Sequence, residues 1–235
     1  MLCDCISVLA ALFYSKERRV LVPAAFSPAL RDLYDYAVQM SGMIGFGMDG
    51  MVYVTPVARA PLSYPVELTG VHDSALVYLL LGFNAATNGT IRFVDPPQLS
   101  RTELKRECRA LKGQMRTAFN RRTGTLHSCA FLFQERPAPD SGVSTAFMAG
   151  MLLGAPFAPR LAGFPKGDWL DTPEARQVLQ SFETYGLKVN ETDTAIETPM
   201  LRFDDTLFNS KTMRRRRRRP KTPKGEKAQE DTVCS

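Results

Sequence analysis

Two segments of the chain, 145 residues apart, follow the pattern of the same helix. They are 27-SPALRDLYDYAVQMSG-42 and 172-TPEARQVLQSFETYG-186. Each begins with a hydroxyl residue followed by proline, a pair that favours the N-cap and the first position of a helix. Apolar residues then recur at helical spacing, and one residue of slippage aligns Gly42 with Gly186. A repeat decides the architecture of a chain, so this pair constrains the fold more than any other feature.

The remaining elements predict a mixture of helices and strands. Strand-like runs follow both helices and end in Thr55-Pro56 and Thr198-Pro199. A further helix is predicted from Ser100 to about Asn120, opened by the capping box Ser100-x-x-Glu103. We therefore predict an α+β fold with two duplicated halves, each a helix with an antiparallel sheet. The alternative is two unrelated helices that share a common start signal.

Changes of composition divide the chain into four parts. An N-terminal α+β half is predicted over 1–136, and a linker rich in Pro, Gly and Ala over 137–168, with a short helix near 145–153. A C-terminal helix with strands is predicted over 169–209. A disordered, arginine-rich tail is expected over 210–235.

The excess positive charge lies in the tail. Residues 212–235 hold nine basic and three acidic residues and therefore have a net charge of +6. The whole chain also has a net charge of +6, so residues 1–211 have no net charge. Six consecutive arginines followed by Pro-Lys-Thr-Pro-Lys are typical of a nuclear import signal. We expect an import receptor and nucleic acid to contact this tail, through Arg214, Arg215, Arg216, Arg217, Arg218, Arg219, Lys221 and Lys224. The predicted location is the nucleus.

A glycine-rich stretch, Gly45-Phe46-Gly47-Met48-Asp49-Gly50, matches the dinucleotide-binding pattern G-x-G-x-x-G. That pattern binds pyrophosphate only when a strand precedes it and a helix follows. Here the order is reversed, so we interpret the stretch as a hairpin turn. No other catalytic or metal-ligand motif is present, and His72 stands apart from any nucleophile motif. The other histidine, His127, is two residues from Cys129, a spacing that fits either a Cys/His pair or two core residues of one strand. These absences favour a protein that is not an enzyme and has no cofactor or metal.

Basic residues recur along the predicted helix after Ser100 and form a second stripe beside its apolar stripe. Such a row can follow a phosphate backbone without reading base sequence. A solvated helix face is the alternative. The candidate nucleic-acid-binding residues are Arg101, Lys105, Arg109, Lys112, Arg116, Arg121 and Arg122.

The layout of helix and strand-like runs over 27–57 and 172–203 resembles the sliding-clamp fold. Its two-part organisation is similar to herpesvirus-type DNA polymerase processivity factors. The resemblance implies a protein without catalytic chemistry that holds a polymerase on duplex DNA through a basic face. The two helices depart from that family, because their outward faces carry mainly acidic and amide residues, with Arg31 and Arg176 as the basic exceptions.

Together these features predict a nuclear, non-enzymatic accessory protein of DNA replication, clamp-like and of viral type. One alternative is a viral structural or assembly protein that self-associates and binds nucleic acid through its tail. The other is a nuclear regulatory protein for which the tail is only an import signal. The apolar run Ile6–Tyr14 is far shorter than the roughly 20 residues that cross a membrane, so no transmembrane segment is expected.

Overall fold

A computed structural model describes residues 1–47, 49–57, 65–87, 89–110, 115–120, 124–130, 143–157, 163–199 and 201. The helices are α1 (Leu2–Tyr14), α2 (Pro28–Gln39), α3 (Ser74–Ala86), α4 (Arg101–Ala110), α5 (Thr145–Gly154) and α6 (Pro173–Thr184). The strands are β1 (Val20–Pro23), β2 (Met43–Phe46), β3 (Met51–Thr55), β4 (Val66–Thr69), β5 (Thr90–Val94), β6 (Met115–Asn120), β7 (Thr125–Ala130), β8 (Phe164–Pro165), β9 (Asn190–Glu191) and β10 (Ala195–Glu197). The α+β class is confirmed.

The described elements form three units of the same topology, helix–strand–helix–strand–strand. The first unit is α1, β1, α2, β2 and β3; the second is α3, β5, α4, β6 and β7; the third is α5, β8, α6, β9 and β10. In each unit the last strand lies between the other two and pairs with both in antiparallel register. Only the second sheet has a further described strand, β4, which lies beside β5 in parallel register.

The first helix of each unit is buried almost all round. In α3 every residue from Leu76 to Ala86 is buried, and so is every residue of α5 from Ala146 to Gly154. A helix that is apolar on all faces is typical of a core position. At Gly150 a Cβ atom would overlap the carbonyl oxygen of Leu79, so the absence of a side chain lets the backbones of α3 and α5 touch.

The two helices matched in the sequence, α2 and α6, occupy the same place in the first and third units. Ser27 and Thr172 cap them by accepting hydrogen bonds from the backbone N–H of Leu30 and Ala175. Both end in a Schellman motif whose left-handed residue is Ser41 (φ 64°) in α2 and Gly186 (φ 70°) in α6. Ser41 and not Gly42 is therefore the counterpart of Gly186, and the offset of 145 needs no slippage over this segment.

Three sequence predictions concern the arrangement of these elements. Two duplicated halves are not confirmed, because the described residues form three units. The hairpin interpretation of Gly45–Gly50 is confirmed by the pairing of β2 with β3. The helix predicted from Ser100 to about Asn120 is too long: α4 ends at Ala110, and Met115–Asn120 is the strand β6, which pairs with β7.

The predicted domain boundaries stay predictions, and the one between 136 and 137 lies outside the described residues. The predicted linker contains α5, which is buried against α3. The arginine-rich tail also lies outside the described residues. Among the helices that the structure describes, none combines the length and the hydropathy needed to cross a membrane.

Candidate functional site

A cleft of about 350 Å³ opens where the amino ends of five helices meet. Its lining comes from the amino-terminal ends of α1, α3, α4, α5 and α6, namely Leu2, Ser74, Ala75, Tyr78, Glu103, Ser144, Thr145, Ala146 and Glu174. The convergence follows from parallel packing: Gly150 and Gly154 of α5 lie against Leu79 and Phe83 of α3 in the same order along both helices. Parallel helices bring the positive ends of their dipoles to one side of the bundle.

A phenol and a carboxylate are joined at this cleft. The hydroxyl of Tyr78, which is only 6% exposed, donates to Glu103 Oε2 over 2.9 Å. Glu103 is exposed and lies in the first turn of α4, where the backbone N–H of Glu103 donates to Ser100 Oγ. This hydrogen bond is one of the two that define the predicted capping box. It also holds the Glu103 carboxylate at the mouth of the cleft.

A second carboxylate, that of Asp73, caps α3 beside the cleft. Its Oδ1 accepts from the backbone N–H of Ala75 over 2.8 Å. Its Oδ2 is buried and has no hydrogen-bond partner within the described residues. A buried carboxylate oxygen without a partner is costly, so a buried water molecule is the partner expected for this atom.

The field at this end of the molecule is negative despite the helix dipoles. Burial in the first place, and Asp73 and Asp4 after it, raise the pKa of the Cys5 thiol to about 12. Burial likewise raises the pKa of Cys3, with Glu174 as the next cause. Cysteines at helix amino ends commonly become reactive through a lowered pKa. The shift of both thiols here is in the opposite direction, towards the neutral form.

No lysine or arginine is found among the described residues that line the cleft. The terminal ammonium of Met1 lies 3.4 Å from Asp4 Oδ2 and is the nearest described cation along α1. No group of three or more His, Cys, Asp or Glu side chains suited to a metal occurs in the described part of the chain. The cleft therefore suits a neutral or cationic ligand that carries hydroxyl groups, and a carboxylate base can act on such a hydroxyl.

The candidate nucleic-acid-binding residues are not brought into one row. Arg101, Lys105 and Arg109 belong to α4, and Arg116 belongs to β6. The side chain of Lys105 is exposed, whereas those of the three arginines lie outside the described set. Lys112, Arg121, Arg122 and the import residues Arg214–Arg219, Lys221 and Lys224 also lie outside the described residues. Contact of these residues with nucleic acid or an import receptor stays a prediction.

The carboxylates at the amino ends of the helices, two of which line the cleft, were missed as a site by the sequence reasoning. Asp4, Asp73, Glu103 and Glu174 come from four helices and are far apart in the chain. Their common signal is position, because each is the N-cap or lies in the first turn of its helix. That signal becomes a site only when the helices are known to be parallel.

Comparison with known proteins gives a fold. No protein-family model matches the chain, and no curated protein matches it. Among solved structures, EPSP synthase from Acinetobacter baumannii is similar over 85% of this chain with a TM-score of 0.55 and 15% identity. The enolpyruvyl transferase NikO from Streptomyces tendae is similar over 86% with a TM-score of 0.52 and 13% identity. The chain therefore has a fold that is found in enolpyruvyl transferases.

The chain matches less than half of each of these structures, 46% of the EPSP synthase and 47% of NikO.

The fold also corrects the earlier predictions. The resemblance to sliding clamps is wrong, and with it the non-enzymatic role in DNA binding and replication, including its viral, structural and regulatory variants. The prediction that the chain is not an enzyme is contradicted, since its structural neighbours are transferases. The resemblance depended on a helix followed by a hairpin. The structure does contain that arrangement, but within units of a different fold.

Proposed function

We propose that this chain forms one lobe of an enolpyruvyl-transferase-type enzyme and binds the acceptor of the transferred group. The observation that carries the proposal is the meeting of five helix amino ends around the Tyr78–Glu103 pair. The coverage of less than half of the neighbouring enzymes supports a single lobe that acts together with a second one.

The chemistry assigned to this lobe is acid–base. Transfer of an enolpyruvyl group to an acceptor hydroxyl requires a base that accepts the hydroxyl proton. Glu103 is placed for that role, because it lines the cleft and Tyr78 fixes one of its two carboxylate oxygens. Cations that balance an anionic donor then have to come from the second lobe.

A series of sugars that differ mainly in charge tests this proposal. We expect glucosamine to bind more tightly than glucose, and glucose more tightly than glucuronate, because the cleft is lined by carboxylates. The measurement is the shift of backbone amide resonances by NMR, with Ala75 and Ala146 as reporters. Glu103→Gln should weaken glucosamine binding by about 3-fold or more, since it removes a charge-assisted contact.

The control is Glu183→Gln, a neutralised exposed carboxylate in the last turn of α6, away from the cleft. It should bind glucosamine like the unchanged protein. Equal effects of the two variants would indicate a general charge effect. Tighter binding of glucuronate than of glucosamine, or shifts confined to other parts of the molecule, would refute the acceptor site.

We also propose that the arginine-rich tail directs the protein to the nucleus, which the residues Arg214–Arg219 support. The test is the location of a fluorescent fusion of the full chain. Replacing all six arginines with glutamine should abolish nuclear accumulation. Neutralising the tail carboxylates Glu226, Glu230 and Asp231 should leave it unchanged. Accumulation that survives the arginine replacement would refute the signal.

We further propose that the repeated units arose by duplication of one ancestral unit. The constant offset between Ser27 and Thr172, and between Ser41 and Gly186, supports this origin for the first and third units. A chimera in which residues 173–184 replace 28–39 should fold, because the two helices have the same caps and length. Loss of cooperative unfolding in that chimera would count against the duplication.

A further inference from the structure

A second cleft, of about 490 Å³, separates β1 from α6. Its walls are the strand residues Val20–Pro23 and the helix residues Gln177, Gln180, Ser181 and Thr184. Asp4 and Ser7 of α1 form its floor, and Glu17 lies at its edge. β1 is an edge strand of its sheet within the described residues, so one wall of this cleft consists of backbone that can pair with another strand.

The corresponding place in the second unit is filled. There β4 lies between α2 and β5 and extends the sheet in parallel register, with Val66 beside Ile91 and Leu68 beside Phe93. The side chain of Gln39 holds the outer edge of β4, since its Oε1 accepts from the backbone N–H of Glu67 over 2.8 Å and its Nε2 donates to the Glu67 carbonyl.

The two places correspond residue by residue on the helix side. At the offset of 145, Gln39 of α2 corresponds to Thr184 of α6, and Asp32 corresponds to Gln177. Asp32 accepts from the backbone N–H of His72, which follows β4. Thr184 and Gln177 both line the cleft. The positions that bind the β4 segment in one unit therefore face, in the other, a groove into which no strand among the described residues is inserted.

The free edge of β1 is suited to a partner strand. The N–H of Ala24 donates to Gly50, on the side of β3. By the alternation of a strand, the backbone groups of Leu21 and Pro23 point to the opposite side, into the cleft. Proline in a sheet is confined to such edges. Leu21 is thus the β1 residue that offers both a donor and an acceptor there, and its side chain is 52% exposed.

The negative charge of the groove favours a positively charged ligand. Asp4 and Glu17 carry the only charges among its described lining residues, and both are acidic. The floor is polar, because Gln177 Nε2 donates to Ser7 Oγ over 2.9 Å. An occupant that runs along β1 then presents alternate side chains to this floor. Basic side chains on that face and apolar ones on the outer face, beside Leu21, complement the groove.

We propose that the groove between β1 and α6 binds an extended basic segment of a partner protein, which pairs in parallel with β1 as β4 pairs with β5. The alternating pentapeptide Lys-Val-Lys-Val-Lys, acetylated and amidated at its ends, is the probe. It places three lysines on one face and two valines on the other. Binding to the full chain is measured by titration calorimetry, and the contacted residues are located by amide NMR.

We expect the lysine peptide to shift the amides of Leu21, Gln177 and Thr184. The peptide Glu-Val-Glu-Val-Glu has the same spacing of valines and should bind at least 10-fold more weakly. Leu21→Pro removes the edge donor at a position where proline is compatible with the strand, and should weaken binding roughly 3- to 10-fold. Asp4→Asn should weaken it by about 2- to 5-fold, with a smaller salt dependence.

Methylated peptides provide a control that leaves the protein unchanged. In a parallel ladder, alternate amides of the peptide point to β1, so methylation of that set should abolish binding, whereas methylation of the other set should not. Equal effects of the two sets would refute strand pairing, and equal affinity of the glutamate peptide would refute the basic occupant. Concentration-dependent dimers that Leu21→Pro dissociates would replace the partner with a second copy of this chain, which also overturns the proposal.

Discussion

The inner helices α3 and α5 and the outer helices α2 and α6 are held in the structure in different ways. The inner pair is buried almost all round and meets backbone to backbone at Gly150. The outer pair buries one face, which in α2 is formed by Ala29, Leu30, Leu33, Tyr36 and Ala37, and depends on its caps. Caps and apolar periodicity therefore determine where in the chain a helix forms, whereas close packing determines where that helix lies in the molecule.

The largest effect is expected where the inner helices touch. Gly150→Val would drive a branched side chain into the Leu79 carbonyl, which belongs to backbone and cannot move aside. We expect a loss of more than about 4 kcal/mol, above the ordinary range for overpacking, because both helices must separate. Urea unfolding measures it. Gly45→Ala, whose Cβ would lie 3.8 Å from that of Tyr53, is the control and should be nearly neutral.

The outer helices should respond according to the buried face. Leu33→Ala empties a fully buried site on α2 and should cost about 2–4 kcal/mol. Tyr34→Ala changes its neighbour, which is 42% exposed, and should cost less than about 1 kcal/mol. Thermal unfolding of both variants tests the pattern. Similar losses would mean that Tyr34 packs against something beyond the described residues.

The buried thiol of Cys5, near the amino end of α1, is expected to make the stability of the protein depend on pH. Burial raises the pKa of Cys5 from 9.0 to about 12, so the folded state favours the neutral thiol. Stability is therefore complete below pH 9 and decreases as the pH rises through the window from 9 to about 12. At pH 10.5 we expect a loss of about 1–2 kcal/mol, which Cys5→Ala should remove. An unchanged pH slope in that variant would contradict the assignment.

The smallest effect concerns the two helix ends. Ser41 has a positive φ that glycine adopts without strain, as Gly186 does in α6. Ser41→Gly should stabilise the protein by about 0.5–1 kcal/mol, and Gly186→Ala should destabilise it by a similar amount. Chemical unfolding of both variants measures the difference. If Ser41→Gly destabilises the protein instead, the Ser41 hydroxyl group contributes to stability through a contact unrelated to the helix end.

The outer helices could be predicted because their signals are local. Ser27-Pro28 and Thr172-Pro173 specify both starts, and the structure has helices at both places. The second of the three units could not be predicted, because α4, its counterpart of α2 and α6, lacks the Ser/Thr-Pro start. The helix predicted to about Asn120 was too long, since apolar spacing alone does not separate the end of α4 from the strand β6 that follows.

By itself the sequence determined the α+β class, the caps of α2 and α6, the hairpin at Gly45–Gly50 and the concentration of positive charge in the tail. Each of these depends on residues that are neighbours in the chain. Only the tertiary structure decided the meeting of five helix starts at Tyr78 and Glu103, and the groove between β1 and α6. Both depend on the parallel packing of helices far apart in the chain, which is set by side-chain volume and glycine contacts.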